Sequence, residues 1–230
     1  MRTLRRLATF PADCIAAVGA RRKLKALGPM ADAAALELAR SFCWRGGSIR
    51  PTQSTEEILW LLDRVRELRP RVVLEIGTDE GGTLFLWTRV AAPDAVIVAV
   101  DKRPLGRIGR LSPYALARRG FARASQRVEL LLPRDSHSQD TVDEVRRVVS
   151  EASVDFLFID GDHTYYGVKH DFELYSPLVR NGGLVAIHDI ASPVVPGVAR
   201  FWSEIAATHD IEEKVESELG MGLVHVADHR

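Results

Sequence analysis

Four residues near the middle of the chain carry side chains that can hold a cation or move a proton: Asp160, His163, His188 and Asp189. With a reference pKa of about 6.5, neutral imidazole accepts a hydroxyl proton near physiological pH. A carboxylate pair with an imidazole also suits a divalent cation, manganese or zinc as well as magnesium. The pattern around them is strand, acidic corner, helix, turn, strand, acidic corner. Phe156–Ile159 and Leu184–Ile187 are apolar runs too short for helices and rich in strand formers, so they suit strands buried on both faces. Thr164 to Leu178 carries apolar residues at Val168, Phe172, Tyr175 and Leu178, the spacing of one buried helix face, and Asn181, Gly182 and Gly183 end it. Two strands joined by a helix are parallel neighbours, so their polar ends share the sheet edge where open α/β folds bind ligands. The plainer role for Asp160 is a strand-end cap on the next helix, which Asp162 or Thr164 could fill instead. His170, His209, His225 and His229 lack such surroundings and are expected at the surface or in packing.

The elements before this stretch must deliver a ligand to it. Ser54 to Leu68 predicts an amphipathic helix, with Ser54 and Glu57 as a capping box and Ile58, Leu61, Leu62, Val65 and Leu68 as its apolar face. Pro70 stops it, and Arg71 to Ile76 becomes the first strand of the domain. The loop from Glu75 to Thr83 then opens a helix to about Val90; its glycines admit close backbone approach and its helix N-terminus offers N–H groups to an anion. The spacing is Gly77-xxx-Gly81-Gly82, which departs from the dinucleotide fingerprint. Ala95 to Val100 forms a second strand ending in Asp101, a position suited to ribose hydroxyls. Val128 to Leu132 forms a third, ended by Asp135, Ser136 and His137, with a helix through Val149. The chain closes with a helix near Val198–Ala207 and strands at Ile211–Val215 and Gly222–Val226, an antiparallel hairpin.

Lys102, Arg103, Arg107, Arg110, Arg118, Arg119, Arg123 and Arg127 form a run without an acidic residue. It reads either as a solvated insertion or as a source of arginines for an acceptor phosphate or carboxylate. Residues 1–52 read as a helical appendage, packed on the domain or on a second subunit of a homo-oligomer, or as a lid; residues 53–230 hold the main domain. Within the appendage Leu4, Leu7, Phe10, Ile15 and Val18 suggest an intermittent stripe that Pro11 must break or kink. The 230 residues, 46% hydrophobic, bury one sizeable core, and zero formal net charge gives no general argument for nucleic acid or an anionic membrane. No segment reaches the length of a membrane span, and Pro11 and Asp13 interrupt the apolar stretch a signal peptide needs. Cys14 and Cys43 are isolated, which favours a reduced, cytoplasmic setting without a disulfide or zinc framework.

Taken together, VVLEIGTDEGGT, VAVD, RDSH, FLFIDGDHTYYGVKHDFELYSPLVRNGGLVAIHD and GMGLVHV, spanning roughly Ile49 to Val226, resemble class I S-adenosylmethionine-dependent methyltransferases. The similarity is to the branch with cephalosporin hydroxylase-like and rhamnosyl O-methyltransferase-like proteins. It implies an α/β, Rossmann-like fold whose seven-stranded, mostly parallel sheet has the order 3-2-1-4-5-7-6 and a C-terminal antiparallel hairpin. It places Glu75, Gly77 and Thr83, with Gln53, around the methionine part of S-adenosylmethionine. Asp101 would hold the ribose, and Asp135 and Ser136 would lie beside the adenine. Asp160 and Asp189 match metal ligands of catechol-type O-methyltransferases; the next position of that pattern is here Ile190, which cannot ligate. The shifted pattern of the cephalosporin hydroxylase-like branch gives His188 and Asp189, hence a metal set of Asp160, His188 and Asp189 for magnesium or manganese. His163 stands where the catechol-type enzymes carry a general-base lysine, and His188 is the alternative base.

The resemblance implies methyl transfer to a hydroxyl of a small acceptor, a sugar or natural product, with no nucleic-acid or membrane partner. Two other functions stay open: a cephalosporin hydroxylase-like protein in which the cofactor site supports another reaction, and a non-catalytic nucleotide-binding module on the same fold.

Overall fold

The structure, a computed structural model, describes residues 2–102, 113–149 and 153–227, with side chains from residue 10 onward. In chain order the elements begin with α1 (Arg2–Lys25), α2 (Asp32–Ser41) and a small hairpin of β1 (Cys43–Trp44) and β2 (Gly47–Ser48). The main body follows: α3 (Thr55–Leu68), β3 (Val72–Ile76), α4 (Gly82–Val90), β4 (Val96–Val100), α5 (Pro113–Arg118), β5 (Arg127–Leu131), α6 (Gln139–Val149) and β6 (Val154–Ile159). It ends with α7 (Tyr165–Tyr175), a 3₁₀ turn at Ser176–Leu178, β7 (Val179–His188), α8 (Pro196–Ala206), β8 (Asp210–Lys214) and β9 (Met221–His225).

The large sheet has the order β5-β4-β3-β6-β7-β9-β8; its first five strands are parallel, and β9 lies antiparallel between β7 and β8. This is the expected seven-stranded order with its C-terminal hairpin. Strand alternation sorts the core into two layers. Val73, Ile97, Phe156, Phe158 and Ala186 face α2, α3 and α4, while Leu74, Val98, Leu157, Val185 and Ile187 face α6, α7 and α8. Ile76 pairs with Val100 and with Ile159, and Ile159 with Ile187, so four parallel strands finish level. Gly77, Asp101, Asp160 and the His188–Asp189 pair therefore emerge at one edge. Among the described residues, no helix is long and apolar enough to cross a membrane.

Four local expectations need correction. Helix α1 runs through Pro11, and its buried face is Ala17, Ala20 and Leu24, whereas Ile15 is 74% exposed. Small residues face the core there because α1 packs on α5, where Ala117 meets Ala17 and Ala20. Ser54 caps α3 by accepting the Glu57 N–H at 3.3 Å, but the Glu57 carboxylate turns inward to a distant loop. Strand β7 starts five residues early, at Val179, because that residue pairs with Val154 before a register shift across Asn181–Gly183. Finally, the basic run is not uniformly solvated. Arg118 is fully buried, and Arg123 donates to the carbonyls of Thr88 and Arg89 at 2.8 and 3.0 Å, capping the end of α4. Arg103, Arg107 and Arg110 lie outside the described residues.

Candidate active site

A cleft of about 640 Å³ opens over the level strand ends and is lined by Gly77, Asp101, Ser136, Asp160, His163, His188 and Asp189, together with Thr52 and Leu219. Its floor depends on one close crossing. Gly77 has φ +85°, and a Cβ there would overlap the Asp160 carbonyl, so only glycine lets β3 and β6 end side by side.

The loop after β3 is held from below and from the side. Asp101 Oδ2 accepts the N–H groups of Thr78 and Asp79 at 3.0 and 2.9 Å. Glu75, the last but one residue of β3, is fully buried and accepts from the Thr83 hydroxyl and from Trp87 Nε1 at 3.2 Å. Burial pushes its pKa up to about 7 against those hydrogen bonds. Glu75 and Thr83 thus sit beneath the loop and bond to each other, whereas Gly77 and Asp101 reach the cleft. At the other end Ser136 lines the cleft, its carbonyl held by the Tyr175 hydroxyl at 2.7 Å. Asp135 turns to the surface and pairs with Lys102 at 3.1 Å.

Asp160, His163, His188 and Asp189 converge as one cluster. Asp160 Oδ1 lies 3.2 Å from His163 Nε2 and 3.3 Å from His188 Nδ1, and its Oδ2 accepts from Gln53 Nε2 at 2.8 Å. Gln53 is thus turned toward this carboxylate. Asp189 completes the ring, with Oδ2 3.4 Å from His163 Nε2 and Oδ1 3.5 Å from His188 Nδ1. Its backbone is left-handed, φ +65°, unusual for a residue with a side chain.

Electrostatics follow from burying two carboxylates together. Burial and the Asp160 charge raise the Asp189 pKa despite both imidazoles. For Asp160, burial works upward but His188 and His163 outweigh it and hold the carboxyl below its usual range. The hydrogen bond to Asp160 raises His163; burial opposes protonation of His188, yet the Asp160 charge raises it too. Ligand atoms of Asp160, His163 and Asp189 all lie within 4.8 Å of one another, a compact oxygen and nitrogen donor set that fits a divalent cation. Both imidazoles line the cleft, but His188 is 3% exposed and touches both carboxylates, whereas the His163 side chain is 42% exposed.

The roles of two supporting residues escaped sequence reasoning. Glu57 Oε1 accepts from Ser217 N at 3.2 Å, Ser217 Oγ at 2.8 Å and Gly220 N at 3.1 Å, which fixes the turn that presents Leu219. Arg118 donates to the Asp79 carbonyl of the glycine loop. Neither contact leaves a local sequence signal, since their partners lie far along the chain.

A family model described as a methyltransferase domain matches residues 74–190, from inside β3 to just past Asp189. An uncharacterised protein y4gI of Sinorhizobium fredii is 31% identical over 153 residues, which cover 65% of this chain and 16% of that protein. An uncharacterised mimivirus protein, R132, is 42% identical over 59 residues, 24% of this chain and 27% of its own length. The chain thus spans less than a third of these curated relatives. Among solved structures, the O-methyltransferase TomG of Streptomyces achromogenes, determined with S-adenosylmethionine, superposes with a TM-score of 0.56 at 21% identity, covering 88% of this chain and 92% of that one. An O-methyltransferase from Bacillus cereus, with S-adenosylhomocysteine, gives 0.53 at 20% identity over 87% and 93%. At these identities the likeness is one of fold. The family match extends over just over half of the chain and includes the glycine loop and both acidic corners, so the chain belongs to the methyltransferase-domain family.

Proposed function

We propose that this chain transfers a methyl group from S-adenosylmethionine to a hydroxyl of a small molecule, a sugar or natural product, with a divalent metal assisting. The observation that carries the reading is the cluster of Asp160, His163, His188 and Asp189 in a cleft that also takes in Gly77 of the glycine loop and Asp101. A pure nucleotide-binding module has no use for two buried carboxylates and two imidazoles beside its ligand. The narrower placement, in the cephalosporin hydroxylase-like and rhamnosyl O-methyltransferase-like branch, rests on the His188–Asp189 corner.

The cleft would align the sulfonium methyl with the acceptor oxygen, and positioning of that kind supplies most of the rate in such a displacement. Asp101 and Ser136 would bind the nucleoside, and Gly77 leaves the backbone close to the methionine part. Asp160 and Asp189, with one imidazole, would hold the metal, which would supply a Lewis acid that lowers the cost of deprotonating the acceptor hydroxyl. His163 reaches the cleft and is placed to take that proton; His188 is the buried alternative. Gln53 holds Asp160 in register for either role.

The experiment is a coupled S-adenosylhomocysteine-release screen over sugars, phenols and hydroxylated natural products, with and without magnesium or manganese. Turnover that needs the ion supports the whole proposal, and turnover indifferent to chelator removes the metal. His163→Ala and His188→Ala are then compared for metal binding and single-turnover rate. Loss of the general base lowers the chemical step by about 10² to 10⁴ with metal binding retained, while loss of a ligand lowers both. Asp189→Asn is the better probe of the second carboxylate, because asparagine tolerates the left-handed backbone and alanine adds strain.

A further inference from the structure

Arg118 is a fully buried cation that no catalytic step requires, and its guanidinium lies against the glycine loop. Its guanidinium carbon stacks 3.7 Å from the centre of the Tyr114 ring, and Nη2 donates to the Asp79 carbonyl. The Tyr114 hydroxyl lies 3.5 Å from the same carbonyl. Asp79 has φ +38°, a conformation that a residue with a side chain seldom adopts unless neighbours over-determine it. They do so from both ends of the residue, because its N–H goes to Asp101 Oδ2 and its C=O to Arg118. A Cβ on Gly81 would press on Arg118 Nε, so the loop and the guanidinium are fitted to each other. The support continues outward: α5, which carries Arg118, packs on α1, and a Cβ on Gly120 would strike the backbone of Arg21.

Resting on the methyltransferase reading, we propose that Arg118 is a positioning residue for the cofactor: it clamps Thr78–Gly81 in the shape that receives S-adenosylmethionine and couples that shape to the N-terminal helix. Burial pushes its pKa down to about 10, so it stays charged at neutral pH. Among the described residues its Nε and Nη1 have no hydrogen-bond partner; the Asp79 carbonyl and the Tyr114 face balance the buried charge together with the nearby Glu75, Asp101 and Asp79 carboxyls. Lysine keeps the charge but cannot both stack as a plane and donate sideways as a fork.

The test is calorimetric titration of S-adenosylhomocysteine into the full chain, wild type, Arg118→Lys and Arg118→Met, paired with amide hydrogen exchange. The expected result is an affinity loss of about tenfold or more in Arg118→Met and a partial recovery in Arg118→Lys. Amides of Asp79 and Gly81 should exchange faster in both variants, with β6 and β7 unchanged. Affinity within twofold of wild type in the variants that fold overturns the proposal, whatever the exchange shows. If Arg118→Met does not fold, Arg118→Lys decides alone: weaker binding with faster Asp79 exchange supports the clamp, and wild-type values for either overturn it. A wild-type chain that binds no S-adenosylhomocysteine defeats the methyltransferase reading instead. In that case unchanged exchange in Arg118→Lys still refutes the clamp, and faster exchange confined to the loop supports it.

Discussion

A carboxyl group held at a pKa near 7 inside a hydrophobic layer makes the folded protein bind a proton that the unfolded chain, at about 4.5, has already released. For Glu75 the sign is therefore a stability that falls as pH rises from 4.5 to 7 and is level beyond. The window corresponds to about 3 kcal/mol. Glu75→Gln keeps the shape without the charge, so its stability relative to wild type should improve by that order between pH 5 and pH 8. Urea unfolding at the two pH values checks it, and parallel pH dependences would contradict the burial argument. Gly77→Ala makes the opposite kind of change, since a left-handed backbone and the Asp160 carbonyl both oppose a side chain there. It should lose about 2 kcal/mol or more of stability and also weaken S-adenosylhomocysteine binding, read from unfolding and calorimetry on the same sample. Both residues were legible in the sequence as members of a glycine-bearing corner. Their division of labour was not: the same five-residue strand sends Glu75 down under α4 and Ile76 to the other layer, and only the sheet's neighbours decide which side is covered.

At the scale of elements, the strands and their acidic ends could be read because each is a short apolar run stopped by a charged residue. The helix faces were harder. In α1 the large apolar residues Ile15 and Val18 look like the buried stripe, yet alanines fill that place, packed with Ala117 of α5. Glu57 shows the same limit, since a capping-box pattern describes only the backbone it sits on. Its carboxylate instead joins α3 to the turn before β9, 160 residues away. Burial would raise its pKa, but bonds from Ser54 and Ser217 and the N–H groups of Gly220 and Ser217 outweigh it and lower it. Its contribution is thus present above pH 4.5 and is lost on acidification. Glu57→Ala strands the three donors of the Ser217–Gly220 turn, and a loss of about 3 kcal/mol is expected, against about 1 kcal/mol for Ser217→Ala. Chemical denaturation of the two variants and the double variant checks this. A double loss equal to the sum would show that the two do not act through the shared hydrogen bond.

For the whole molecule, the decisive question is which nucleotide the sheet edge accepts. Dinucleotide folds leave the first helix N-terminus open so that a pyrophosphate can sit on its N–H groups. Here Gly82, the first residue of α4, lies so close to Pro51 that a Cβ would overlap its backbone nitrogen. The chain leading into α3 thereby covers the place a pyrophosphate needs, which gives the unusual glycine spacing a physical meaning. S-adenosylhomocysteine carries no phosphate and needs only the strand ends beyond it. A ligand at a hundred times its dissociation constant stabilises the native state by about 2.7 kcal/mol. For a chain of this size that corresponds to a rise in melting temperature of about 5–10 °C. Thermal unfolding with saturating S-adenosylhomocysteine should show this rise, and the same concentration of NAD should leave the midpoint where it was. A shift with NAD and none with S-adenosylhomocysteine would mean that the segment at Pro51 moves aside in solution, and the methyl-donor assignment would fall with it.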